Sequence, residues 1–482
     1  MIRLFRVFVP GSVLALLVSE LLVIFGCYLL AAYLLQFINL NLVQIVPLDY
    51  DATEYLFFVG TGASRHFALL GIFRLTLVAA CIMIGNYFHD LYGVTSRILR
   101  IDHLCVSIGL AFLAQALLIY LKRPEWTVPR TLMILGSLLV LLLLPLWRIF
   151  YSVVVLRAFG RQRVLFLGTS PAVCELAEHL ADHPEIGLMN VGYVDNVEGA
   201  PELPGGRLLG PIHDLASIVD KCKPHRIVVG MTERRQRLPV NELLDLRFSG
   251  VHIEDVLSVY EATFGRVCTR ELRPSQLVFT AELGPSRNSE IRHSLYSLFI
   301  ALILTVATIP IMLIVAVLVK LTTPGPVLHR QLRVGLNDAP FMVYKFRSMR
   351  ADAEKGTGAV WAVRNDPRIT PLGRWLRKLR LDELPQLFNV LKGEMSIVGP
   401  RPERPEFVKT LTEQIPYYRQ RHCVKPGITG WAQINHKYGD TLEDTVIKLE
   451  YDLYYIKNLA ITLDSYIMFH TLKVMLLSRG AQ

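Results

Sequence analysis

Apolar residues in this chain gather in long unbroken runs before they begin to alternate with polar ones. Four runs lie in the first third, at about 12–37, 67–88, 103–121 and 131–154, each near the ~20 residues that cross a hydrocarbon layer as a helix. They predict a four-helix transmembrane region over 1–156. The first run is long and lacks a small-residue cleavage site, so a retained span is expected and not a signal peptide. Glu20 and Arg74 fall inside predicted spans, where an ionised side chain is costly and often functional. Snorkelling or pairing within the bundle is the plainer expectation.

Beyond residue 156 the pattern changes. RVLFLGTS (163–170) reads as a buried strand followed by the helical AVCELAEHLADH, and MNVGYVD (189–195) and HRIVVGM (225–231) read as further strands. Strands alternating with helices predict a Rossmann-like, doubly wound parallel module over 157–285. Its first turn offers Gly168 followed by Thr169, Ser170 and Pro171, so the GxGxxG that brings a backbone against a dinucleotide pyrophosphate is missing and NAD chemistry is not expected. His179 and His183 have metal-ligand spacing, although two surface histidines are the commoner meaning of such a pair.

A fifth apolar run, LYSLFIALILTVATIPIMLIVAVLV, covers 295–319. Pro310 interrupts it, and proline removes a helical donor and clashes with the preceding turn. Arg287 and Arg292 precede the run, and Lys320, Arg330 and Arg333 follow it. A crossing would carry Arg330, Arg333, Lys345 and Arg347 outside, against the rule that basic residues stay on the cytoplasmic face. A re-entrant helix hairpin at 295–319 is therefore expected, opening a C-terminal α/β domain over 286–482. Arg3, Arg6, Arg97, Arg100, Arg157, Arg161 and Arg163 mark the same inner face.

Composition agrees with this membrane reading. Of 482 residues 52% are hydrophobic, and the mean hydropathy is +0.38. The formal charge of +10 suits an anionic membrane surface or phosphate-bearing ligands and does not by itself indicate nucleic acid. Seven cysteines without a CxxC pair argue against a zinc site or a disulfide framework.

The C-terminal region holds the candidate chemistry. In RLDELPQLFNVLKGEMSIVGPRPERPEF (380–407), Leu384, Leu387, Phe388 and Leu391 recur at helical spacing and Gly393 is placed to end the helix. Asp382 and Glu383 then fall at its start, where acids ordinarily cap a helix and complement its dipole. Lys345, Arg347, Arg377, Arg380 and Arg401 would make the same place attractive to phosphate. An ionised carboxylate there is a potential nucleophile toward phosphorus, and a second could hold Mg²⁺.

The run of YKFRSM, RLDELPQLFNVLKGEMSIVGPRPE and KPGITGWAQIN resembles the bacterial polyprenyl-phosphate phosphoglycosyl transferases, densely over 287–478. The four spans and Rossmann-like module resemble the long, polytopic members; MIRLFRVFVP and WAVRNDPRIT resemble the exopolysaccharide-associated branch. The resemblance implies a multi-pass enzyme of the bacterial inner membrane, with its catalytic domain on the cytoplasmic face. It implies that Asp382 attacks the sugar-proximal phosphate of a UDP-sugar, releasing UMP, and that undecaprenyl phosphate then takes the phosphosugar from the enzyme. Glu383 matches the acid that holds Mg²⁺, Lys345 the lysine of the KFR motif, Arg377 an arginine five before the nucleophile, Arg401 the Pro-Arg-Pro arginine and Asp452 a late acid beside aromatics. Arg347 and Arg380 join these as substrate-binding candidates. His293–Ser297 and Ile309-Pro310 depart from the family's usual Lys-Arg and Ser-Pro hairpin signatures.

A membrane-bound nucleotide-sugar dehydratase is the alternative enzyme, and it would need the absent glycine fingerprint. A catalytically inactive scaffold or regulator of glycan assembly is the alternative of another class. The central module could bind a nucleotide, support a homodimer or space the domains. The exopolysaccharide resemblance favours a UDP-hexose donor over an N-acetylated one.

Overall fold

In the computed structural model the described residues are 11–42, 65–89, 101–121, 126–155, 162–183, 186–196, 203–231, 238–272, 287–350, 368–436 and 441–476, with a few shorter pieces. Arg97, Arg100, Arg157 and Arg161, used above to orient the chain, lie outside them. The chain divides into two compact units, essentially Val9–Glu254 and Asp255–Gln482.

The first unit begins with four long helices, α1 (Gly11–Leu42), α2 (Arg65–Phe88), α3 (Ile101–Tyr120) and α4 (Arg130–Phe150). Each contains a stretch long and apolar enough to cross a membrane. Residues such as Leu22, Leu113, Leu138 and Leu142 stay exposed, as a lipid-facing surface requires. Inside, small residues allow close approach. A Cβ on Gly136 would lie 2.5 Å from the Tyr28 ring, and the Tyr28 hydroxyl hydrogen-bonds Ser137 Oγ at 3.0 Å.

Glu20 is fully buried and pairs with the buried Arg148; the hydroxyl of Tyr92 donates to its Oε2 at 2.6 Å. The early part of α1, the turn after α2 and the end of α4 therefore meet at one level, as alternating spans demand. Glu20→Ala would strand the buried guanidinium, and we expect a loss of about 3–5 kcal/mol of stability. Thermal unfolding in nanodiscs measures it, and an unchanged midpoint would show that the pair contributes nothing.

The same unit carries β1 (Gln162–Leu167), α5 (Pro171–Asp182), β2 (Leu188–Val194), β3 (Leu208–Gly210), α6 (Leu215–Cys222), β4 (Arg226–Val229), α7 (Val240–Phe248) and β5 (His252–Asp255). The sheet order is β3-β2-β1-β4-β5, and β1 pairs in parallel with both β2 and β4. This is the half-Rossmann order with its switch point between β1 and β4. Gly168 follows β1 at φ +92°, with room for no Cβ against Gly230 and Met231. The rings of His179 and His183 stack at 4.2 Å, and no cluster of three metal-ligating side chains occurs among the described residues.

The second unit starts with α8 (Val256–Phe264) and then α9 (Arg287–Thr322). Where a re-entrant hairpin over 295–319, broken at Pro310, is expected, α9 instead runs through the proline as one uninterrupted 36-residue helix. Thr305 Oγ1 donates to the Ala301 carbonyl at 2.6 Å and Thr308 Oγ1 to that of Leu304 at 2.7 Å; the carbonyl that Pro310 deprives of its helical donor is that of Val306, one turn before it. One stripe of α9, including Ser297, Ala301, Thr305, Met312, Val315 and Val319, is buried while Phe299, Val306, Leu313 and Ile314 are exposed.

Both ends of α9 bond to the rest of this unit. At the first, Ser297 Oγ accepts the Ile397 N–H at 2.6 Å, His293 Nε2 lies 3.2 Å from Asp464 Oδ2, and the Tyr455 hydroxyl donates to Asp464 Oδ1 at 2.8 Å. His293 and Ser297, which depart from the family's usual signature, are thus the residues that fasten the helix.

The remaining elements form a compact α/β body. They are β6 (Leu328–Val334), β7 (Pro340–Phe346), α10 (Pro371–Lys378), a 3₁₀ turn (Leu381–Glu383), α11 (Gln386–Leu391), β8 (Ser396–Val398), α12 (Pro405–Gln414), a 3₁₀ segment (Tyr418–Cys423), β9 (Gly427–Thr429), α13 (Trp431–Asn435), α14 (Leu442–Lys457) and α15 (Ile461–Leu476). β6 and β7 form an antiparallel pair; β8 and β9 pair in parallel. Gly399 and Gly427 pass so closely that a Cβ on Gly427 would sit 2.1 Å from the Gly399 nitrogen. The VGPRP and KPGITG motifs are therefore two crossing turns.

Candidate active site

The acid pair is not the first turn of a long helix. Asp382 and Glu383 occupy the 3₁₀ turn, and the following helix is only Gln386–Leu391. Pro385 at its N-cap accounts for the late start, since proline is accommodated at a helix start and excluded from its interior. Arg380 enters this turn with a left-handed backbone, φ 57°, a conformation a non-glycine residue adopts at a cost. Asn389 ties α11 to β7: its Nδ2 donates to the Met342 carbonyl at 2.7 Å and its Oδ1 accepts the Tyr344 N–H at 3.1 Å. The acids are thereby held beside Lys345 on β7.

Glu383 is buried within a cationic ring. Its Oε1 lies 3.3 Å from Lys345 Nζ and 2.8 Å from Arg401 Nη2; its Oε2 lies 3.7 Å from Arg380 Nη1. Burial alone would raise the pKa of its carboxyl, but Arg401, Lys345 and Arg380 together hold it well below the carboxylate range. Asp382, equally buried, is pushed the other way, by burial and then by the charge of Glu383, against the pull of Lys345, Arg377 and Arg380. Its carboxylate accepts no hydrogen bond from any described residue. One acid is committed to the ring and its neighbour is left available.

Of the other expected site residues, Arg377 donates Nε to Ser348 Oγ at 3.0 Å, and Arg347 reaches Thr323 at the end of α9. Asp452 lies deeper: it is buried and accepts Nε and Nη2 of Arg421 at 3.1 and 2.8 Å. Arg421 Nη2 also donates to the Arg401 carbonyl at 3.0 Å, and its Nη1 to the Tyr418 hydroxyl at 2.7 Å. Asp452 thus touches the acid pair's surroundings only through Arg421 and Arg401. Sequence reading passed over Arg421 among the cations of YYRQRHC, and its i, i+3 spacing to Tyr418 was the available signal.

Mg²⁺ commonly takes one or two protein carboxylates and completes its shell with water and substrate phosphates. Asp382 has unshared oxygens, whereas both oxygens of Glu383 face Lys345, Arg401 and Arg380, so an ion held at Glu383 would have to take the place of one of these cations.

A Cβ on Gly373 would lie 2.0 Å from the Ser348 carbonyl oxygen, while the Thr370 N–H bonds that same oxygen at 3.0 Å. Gly373→Ala should push α10 and Arg377 off the strand end. A loss of about 1–3 kcal/mol from overpacking, read as a lowered midpoint, is expected; an unchanged midpoint would show that the helix shifts freely.

The model for the family described as "Bacterial sugar transferase" matches residues 289–478, the stretch that contains every group just described. A glucose-1-phosphate transferase of Klebsiella pneumoniae, named as acting on UDP-glucose and undecaprenyl phosphate, is 36% identical over 65% of this chain and 67% of its own. The chain belongs to the bacterial sugar transferase family.

Other members differ in sugar and in extent. An N-acetylgalactosaminephosphotransferase of Aeromonas hydrophila, named for UDP-N-acetylgalactosamine and undecaprenyl phosphate, is 51% identical over 36% of this chain and 41% of its own. The exopolysaccharide production protein PSS of Rhizobium leguminosarum bv. phaseoli is 43% identical over 38% of this chain and 94% of its own. The match therefore spans less than half of one relative and nearly all of another.

Several aromatic and sulfur-bearing side chains of this bacterial sugar transferase are structural. Trp431 is buried, donates Nε1 to the Gly265 carbonyl at 2.7 Å and stacks on Tyr454 at 5.6 Å. Tyr418, Tyr454 and Tyr455 are core residues. Burial pushes the Cys423 thiol up to about 11, which suits an inert cysteine. Tyr438 lies outside the described residues.

Proposed function

We propose that this protein transfers a phosphosugar from a UDP-sugar to undecaprenyl phosphate, releasing UMP, and so begins assembly of an exopolysaccharide or other surface glycan. The observation that carries the reading is the available Asp382 carboxylate beside a Glu383 held by Lys345, Arg380 and Arg401. In the first step an Asp382 oxygen bonds to the sugar-proximal phosphorus as the bond to the bridging oxygen breaks, and UMP departs with that oxygen and the electron pair. In the second, an oxygen of the acceptor's phosphate attacks the same phosphorus and Asp382 leaves as a carboxylate. Lys345, Arg380 and Arg401 offset the negative charge that gathers on the phosphoryl oxygens, the main demand of phosphoryl transfer. Mg²⁺, were it held by the diphosphate and by Glu383 in place of Arg380, the most distant cation of the ring at 3.7 Å, would lower the charge that an anionic nucleophile meets.

The fastening of both ends of α9 to the unit that carries the acids supports insertion of this helix from one face, with the catalytic domain on the cytoplasmic side of the inner membrane. The donor we favour is a UDP-hexose; the Aeromonas relative makes UDP-N-acetylgalactosamine the second reading. Release of UMP from a panel of UDP-sugars, by protein in nanodiscs with Mg²⁺ and undecaprenyl phosphate, tests both. One sugar should be turned over in an EDTA-sensitive manner. Folded protein that releases UMP from none of them would end the proposal.

A further inference from the structure

Arg347 carries a charge that no described residue answers. Its side chain is buried, and Nη2 donates to the Thr323 carbonyl at 2.8 Å and to Thr323 Oγ1 at 2.7 Å. Nε and Nη1, also buried, have no hydrogen-bond partner among the described residues, and no acid pairs with this guanidinium among them. Buried polar groups are nearly always satisfied, and an unpaired buried cation is more costly still. Capping the end of α9 would occupy Nη2 alone and leaves the Nε and Nη1 donors unexplained.

Its position says what could complete it. The Arg347 N–H bonds the Val327 carbonyl at 3.0 Å, so the residue sits where the end of α9 meets the end of β7. The last turns of α9 expose Leu313, Ile314, Val317 and Leu321, a surface for lipid tails. Thr323, just past them, then falls at headgroup level. Lys345 is two residues back along the extended chain, hence about 7 Å away and on the same side, and it contacts Glu383. Arg377, on Ser348 Oγ, brings a second guanidinium to the neighbouring residue. An anion at Arg347 would therefore stand at the membrane surface, next to the acid pair.

We propose that Arg347 binds the phosphate monoester of the lipid acceptor, while Lys345, Arg380 and Arg401 serve the diphosphate of the donor; this rests on the transferase reading above. Nε and Nη1, on either side of the Nη2 that Thr323 occupies, each offer one charged donor to a phosphate oxygen; both are buried, so admitting an anion requires the half-buried Thr323 and the exposed residues 324–326 to shift. The same chemistry could come from a bulk anionic phospholipid, which the test separates.

The two half-reactions divide the roles. Arg347→Gln and Arg347→Lys are placed in nanodiscs, and UMP release without acceptor measures the donor step and reports folding. Chasing the phosphosugar-enzyme with undecaprenyl phosphate measures the acceptor step. The donor step should be unchanged, while the KM for undecaprenyl phosphate rises about tenfold or more in Arg347→Gln, as loss of a charge-assisted contact implies, with part restored in Arg347→Lys. An unchanged acceptor KM, or loss of the donor step in variants with the wild-type unfolding midpoint, overturns the proposal.

Wild-type protein supplies an arm that does not depend on the variants folding. Undecaprenyl phosphate, but neither undecaprenol nor phosphatidylglycerol, should slow amide exchange at 323–327 and 346–348. Equal slowing by either control, or none by undecaprenyl phosphate, overturns the assignment. A wild type that releases no UMP counts against the transferase reading, and the exchange arm still decides this one.

Discussion

Asp382→Asn should abolish UMP release, lowering it by roughly four orders of magnitude or more, as removal of a nucleophile does in other covalent catalysts. The amide keeps the shape of the acid and removes only the charge. The donor half-reaction should vanish together with turnover, because both pass through the Asp382 oxygen. Folding should not suffer. Asp382 is buried next to the ionised Glu383 and accepts no hydrogen bond from a described residue, so its charge opposes folding by desolvation and like-charge repulsion. The variant's unfolding midpoint should equal or exceed that of the wild type, the usual relation between a strained functional group and stability. Turnover that survives in Asp382→Asn would remove the covalent step and leave the acid pair a structural or metal-holding role.

How much of this could be read from the chain depends on the range of the interactions concerned. The apolar runs fixed the five long helices because a span must be apolar over its whole length wherever it packs. The parallel module was legible for a similar reason, its β1, β2 and β4 being near-continuous buried strands. The site was legible as a composition of acids and cations, but its geometry was not. Local periodicity suggested that Asp382 and Glu383 begin a helix from Leu384 to Leu391; Pro385 instead divides the segment into a 3₁₀ turn and a shorter helix. At Pro310 the local rule predicts a break, yet the apolar helix keeps its course from Arg287 to Thr322. Asp452 is a substrate-binding candidate by resemblance, and its bond to Arg421 joins residues that no local pattern connects.

That bond makes the second large prediction. Arg421 is buried with Asp452 as its counter-ion, and its remaining donors go to Tyr418 and to the Arg401 carbonyl. The 3₁₀ segment that presents it is tied on its other side, where His422 Nδ1 lies 2.6 Å from Asp338 Oδ1 and Arg419 Nε donates to Asp338 Oδ2 at 3.0 Å. Removing the carboxylate by Asp452→Ala leaves a buried unpaired cation and should cost about 3–5 kcal/mol of stability. Arg421→Lys is the milder probe: it keeps the charge and loses the fork that spans Asp452 and the Arg401 carbonyl. A shift of about 1 Å in Arg401 is enough to lower kcat by about 100-fold, and the KM for the donor should move less. If Arg421 acts through Arg401, then Arg421→Lys should cost little further rate once Arg401 has been changed to Ala, whereas independent roles would multiply. A full additional loss in the double variant would assign Arg421 and Asp452 a direct part in binding the substrate, and the path through the Arg401 backbone would be wrong.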